Sequence, residues 1–205
     1  MKHITLLWIM LSTVFLLQGS AGATSMTFDF TDAAEGAFQG ASRTFDLGEG
    51  VSVTATATWT SDNLGASGNG EVFLSAEGLG TLHTYTTNDD FQIDGAGPDD
   101  TLWLTFSQRV ILSHLTFSQG HFTDQFDLFV GDTLILEDQE TVPGWRPLGT
   151  NGYEGTVFGI RADMHDDEFY LTQIRYTPVP EPGSMALLGF GLLGAMGYSR
   201  KRCRD

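Results

Sequence analysis

Between Val51 and Trp59 the chain alternates strictly, with Val51, Val53, Ala55, Ala57 and Trp59 separated by Ser52, Thr54, Thr56 and Thr58. A period of two puts successive side chains on opposite faces of a strand, so this stretch predicts a half-buried β-strand and excludes a helix. Further strands are predicted over 26–30, 71–75, 79–85, 101–106, 109–117, 126–130, 133–136, 156–161 and 169–176. Clusters rich in Gly, Asn, Asp and Pro lie between them: Asp62–Gly65, Gly68–Gly70, Asp94–Pro98 and Gly149–Gly152. No window between these ends carries a sustained 3.6-residue period. Many short strands with regular turn signals predict an all-β fold, an antiparallel β-sandwich of jelly-roll type.

The two ends of the chain do not fit a soluble core. Met1-Lys2-His3 is a short basic start, Ile4 to Leu17 is apolar, and Ala21-Gly22-Ala23 supplies small residues at Ala21 and Ala23. This order predicts a signal peptide over residues 1–23, cut by signal peptidase after Ala23. The apolar run falls short of the ~20 residues that span a bilayer, which argues against an uncleaved anchor. No cysteine stands near the cut, so a lipoprotein is excluded.

The far end, residues 179–205, has three parts. Val179-Pro180-Glu181-Pro182 comes first, its prolines forbidding helix or sheet continuation. Residues 184–198 are uncharged and predict a single short transmembrane helix. Residues 199–205 close the chain with Arg200, Lys201, Arg202 and Arg204, which the positive-inside rule keeps cytoplasmic. Residues 24–178 are thus predicted to be one exported domain.

Charge narrows what that domain does. Only Glu181 and Asp205 of the 26 acids lie in the tail, so 24 remain against five arginines, Arg43, Arg109, Arg146, Arg161 and Arg175. Such a field repels phosphate backbones, so nucleic acid is not a partner. Cys203 in the tail is the chain's single cysteine, so the domain has no disulfide.

Candidate chemistry is sparse. Acidic turns gather Asp90, Asp94 and Asp99 in one region and Asp124 and Asp127 in another. Two readings stand: these residues shape turns, or their oxygens hold a structural calcium, the one cofactor this sequence could support. Trp59 and Trp103 lie in alternating strands and read as core. Trp145, in the loop Thr141–Pro147 beside Arg146, is the candidate for stacking on a sugar ring. His83, His114, His121 and His165 lack zinc spacing, and no Gly-x-Ser-x-Gly elbow is present. No catalytic residue is assigned, and a non-enzymatic domain is predicted. Carboxylate pairs keep a glycan hydrolase as the alternative.

The tail resembles the PEP-CTERM sorting signal, on Pro180-Glu181-Pro182, the apolar segment and the Arg-Lys-Arg end in that order. The resemblance implies a Gram-negative exosortase that processes the chain near Pro180–Pro182. It implies transient anchoring in the inner membrane, then display on the cell surface or in the extracellular matrix, with exopolysaccharide as a partner. The stretch from Asp89 to Val130 is an acidic turn, a strand, a hairpin, a strand, an acidic turn and a strand. It resembles the jelly-roll carbohydrate-binding modules of other proteins with this tail; combined with calcium on the acidic turns, this gives a calcium-stabilised carbohydrate-binding module as a further alternative.

Overall fold

The computed structural model describes residues 24–32, 37–61, 66–83, 91–120, 123–141, 144–162, 164 and 166–180. Residues 24–179 form one compact unit. Of a second unit, made of 1–23 and 180–205, only Pro180 is described, and it is exposed. The predicted signal peptide, transmembrane helix and basic end lie outside the described residues.

The described residues are all-β, without a helix. Thirteen strands run β1 Met26–Asp29, β2 Phe38–Gly40, β3 Ser42–Gly48, β4 Val51–Ser61, β5 Ala66–Ser75, β6 Gly78–Leu82 and β7 Ile93–Asp94. The series continues with β8 Asp99–Ser118, β9 Gln125–Val130, β10 Thr133–Glu140, β11 Arg146–Pro147, β12 Tyr153–Arg161 and β13 Glu168–Pro178. Every pairing is antiparallel.

The sheet closes on itself. β13, β6, β5, β4 and β8 pair in turn, and β8 pairs back to β13, with the single pair Leu171–Leu79 joining β13 to β6. A wing of β12, β9 and β10 extends from β8, and β1 lies against the other side of β13. Closure removes most sheet edges. The wing ends in β10, an edge strand that carries Glu137, Asp138 and Glu140, charges that discourage further pairing.

The alternation that predicted β4 is realised: Val51, Val53, Ala55 and Ala57 are buried, and the residues between them are half-buried. They meet Leu102, Leu104, Phe106, Val110, Leu112, Leu115 and Phe117 of β8, Phe158 and Ile160 of β12, and Ile174 and Tyr176 of β13 in one core. Burying a large aliphatic or aromatic side chain contributes about 1.5–3 kcal/mol, so this cluster is the main favourable term.

Two predicted breaks are strand interior instead. Residues 101–106 and 109–117 belong to one continuous strand, β8, and not to two strands joined by a hairpin. β12 spans the expected break, pairing Val157 with Thr105 and Gly155 with Val110, so residues 106–109 of β8 stand against a single residue of β12, an irregularity that does not end the strand. Gly68–Gly70, predicted as a turn, lies inside β5. The Trp59 ring covers Gly68, where a Cβ would come within 2.8 Å of it, so glycine here makes room for an indole. Trp103 lies similarly against Gly159 and donates its indole N–H to Thr58 Oγ1 at 2.8 Å. Both tryptophans are half-buried: Trp103 lies on the face of β8 opposite the buried Leu102 and Leu104, while Trp59 lies in line with the buried Ala57 on the core-facing side of β4, near the strand's end.

Candidate functional site

Three places carry the predicted site residues, and the first is the end of β13. This strand is flanked by β1, through Met26–Tyr176, and by β8, through Tyr176–Leu112, Thr177–Ile111 and Pro178–Val110. Tyr176 is completely buried and donates its hydroxyl to the Leu47 carbonyl at 3.0 Å. Burial, with Glu49 and Asp46 nearby, pushes the phenol up to about 12, so it remains a donor at neutral pH. One further bond follows the strand, from the Val179 N–H to the Arg109 carbonyl at 2.9 Å. Pro180, the next residue, is exposed. Glu181, Pro182 and the cluster Arg200, Lys201, Arg202 and Arg204 lie outside the described residues, as do Ala21 and Ala23.

The second place is a set of buried aspartates. Asp94, Asp99, Asp100, Asp124, Asp127 and Asp167 are each at most 5% exposed. Charged groups are buried only with partners, so the partners identify their work. Asp94 Oδ1 accepts the Ala96 N–H at 2.8 Å and closes a tight turn. Asp100 Oδ2 accepts the Thr81 hydroxyl at 2.5 Å. The backbone carbonyl of Asp124 accepts the Thr141 N–H at 2.8 Å. Asp127 accepts the Asp138 N–H at 3.0 Å on one oxygen and pairs with Arg161 Nη2 at 2.6 Å on the other.

Asp167 binds two loops together, accepting the Gln125 N–H at 2.8 Å and the Met164 N–H at 3.2 Å. Burial pushes this carboxyl up to about 6, and the Asp124 and Asp166 carboxylates add to the effect. Among the described residues, no three His, Cys, Asp or Glu side chains come together as a metal site. Asp90 lies outside the described residues. Backbone amides and Arg161 occupy the carboxylates of Asp94, Asp127 and Asp167.

The third place is Trp145, 40% exposed. Pro147 of β11 and Arg175 of β13 both pair with His114 of β8, which brings the three strands side by side. The Arg175 guanidinium carbon lies 4.4 Å from the centre of the Trp145 ring, and the His114 ring meets it edge-on at 5.8 Å. Burial, with Arg175 beside it, holds the His114 imidazole below its usual range. Arg146, the neighbour in sequence, instead donates to Gln139 Oε1 at 3.4 Å. Sequence reasoning set Arg146 beside this tryptophan, whereas the structure sets Arg175 and His114 there. Their signal was faint, because only the register of β13 against β8 brings them together.

Residues 178–202 match the PEP-CTERM protein-sorting motif. That motif marks an exported protein that an exosortase sorts and that is anchored at its C-terminus. No curated protein and no solved structure matches the chain.

Proposed function

We propose that this chain is a passenger of exosortase sorting whose folded part is a non-catalytic β-sandwich of jelly-roll type, structural or binding in role. The signal peptide directs it across the inner membrane, the tail anchors it there, and processing near Pro180–Pro182 passes it to the cell surface or matrix. The observation that carries this reading is the direct run from β13 into the motif. Val179 is the last of the described residues held by the sheet, and Pro180 is already exposed. The non-catalytic reading is supported by the buried carboxylates, several of which bind backbone amides and so serve as internal ties.

The test is the mature C-terminus in the native host. Mass spectrometry should find peptides ending near Pro180–Pro182 in wild-type cells and an attached tail once the exosortase is deleted. Mature wild-type protein that still ends in Arg200–Asp205 would sink the proposal. Turnover of a glycan panel, lost on changing one carboxylate, would replace it with a hydrolase.

A second reading is favoured by Trp145. An exposed indole backed by a guanidinium is a suitable platform for a sugar ring, and Arg175 would attract an acidic one. This reading makes the domain a carbohydrate-binding module for exopolysaccharide. Trp145→Ala should abolish retention on a column of that polysaccharide while changing stability by less than about 1 kcal/mol, as exposed sites usually do. Equal retention of the variant would remove this reading.

A further inference from the structure

We propose that the end of β13 is a latch on the sorting signal, so that processing waits for Thr177, Pro178 and Val179 to leave the sheet. The proposal rests on the reading that an exosortase cuts near Pro180–Pro182.

The argument is one of reach. An extended chain spans at most about 3.3–3.6 Å per residue, so a cut between Pro180 and Pro182 falls within roughly 10 Å of the last sheet hydrogen bond. A processing enzyme must surround the bond that it cuts and grip chain on both sides. On the upstream side, almost all the chain available to it belongs to the sheet. Thr177 is opposite Ile111, Pro178 opposite Val110, and the Val179 N–H is bound to the Arg109 carbonyl. Cleavage of such a site depends on how often the strand end opens.

The structure also sets how far opening extends. Pro178 contributes no N–H to the ladder, and β1 is not paired beyond Tyr176, so the last three residues are held from the β8 side alone. Tyr176 stops the fraying: its ring is completely buried, it pairs on both sides, and its hydroxyl is bound to Leu47. The segment that opens is therefore short. Arg109, on the β8 side, is itself tied to Glu154 by an ion pair of 3.2 Å.

Pulse-chase of the full-length chain in its native host measures the rate of tail removal. Inserting Ser-Gly-Ser-Gly between Pro178 and Val179 supplies free chain upstream and should speed removal by roughly threefold or more, because opening no longer limits it. The pair Thr177→Cys with Ile111→Cys, in a Cys203→Ser background, places thiols at cross-strand positions where a disulfide can form. Oxidised, it should slow removal by a similar factor; reduced, it should recover the rate of the parent chain. Unchanged rates in both variants, with the wild-type tail still removed, would overturn the latch and leave the sorting reading standing. A wild-type tail that is never removed would overturn both.

Discussion

Asp127 and Arg161 stand opposite each other on β9 and β12, with the arginine Nη2 2.6 Å from the aspartate Oδ2 and the carboxylate wholly buried. The other carboxylate oxygen accepts the Asp138 N–H, which reaches it because β10 is irregular there and Asp138 adopts a φ of 52°. Asp127→Ala would remove both bonds and leave the guanidinium without this counter-ion. Breaking a buried pair from one side costs about 3–5 kcal/mol; since Arg161 is partly exposed, about 3 kcal/mol is expected here. Urea unfolding of the exported domain measures it, and a loss below ~1 kcal/mol would show that the pair contributes little.

Asp167 makes stability depend on pH with a sign opposite to that of a salt-bridged acid. Its carboxyl moves from an ordinary 3.8 to about 6 because it is buried. Between these values the native state binds a proton that the unfolded chain does not. The contribution is fully present below pH ~4 and is lost as pH rises through about 6. Relative to Asp167→Asn, the wild type should therefore gain about 2 kcal/mol as pH falls from 7 to 4. Parallel pH profiles for the two proteins would contradict this.

Gly95 joins the loop after β7 to the loop before β13. Its N–H donates to the Asp167 carbonyl at 3.0 Å, and an added Cβ would lie 2.1 Å from the Met164 carbonyl oxygen. Since the obstacle is backbone, one loop has to move. Gly95→Ala should cost about 1–3 kcal/mol, the range for overpacked sites. Thermal melts check it, and an unchanged midpoint would mean that these loops are not held together.

Calcium should leave the melting curve where a chelator leaves it, because Arg161 and backbone amides already bind the carboxylates of Asp127, Asp94 and Asp167. An ion at a hundred times its dissociation constant would add ~2.7 kcal/mol, a shift of several degrees in a domain of this size. Such a shift would place a site on residues beyond those described, with Asp90 the first to change.

What the sequence made legible follows from how local each signal is. Val51–Ala57 announced a strand because burial on one face forces a period of two. The tail was readable because its prolines, apolar run and arginines act in linear order, without a partner elsewhere. The short strand β3 escaped notice, since just Phe45 and Leu47 alternate into the core. Gly68 suggested a turn because the ring that fills its place, Trp59, comes from another strand. The aspartates were the hardest to read. An Asp that holds an ion and one that ties down an amide look alike until Arg161 or the Gln125 N–H is seen beside it.

The pairing of Met26 with Tyr176 has a consequence for engineering. The domain begins and ends on neighbouring strands, so its two termini leave from one corner. Joining them would need only a short loop, and new ends could be opened at the Gly149–Gly152 turn. The same geometry lets the whole domain be spliced as a cassette into a surface loop of a host protein.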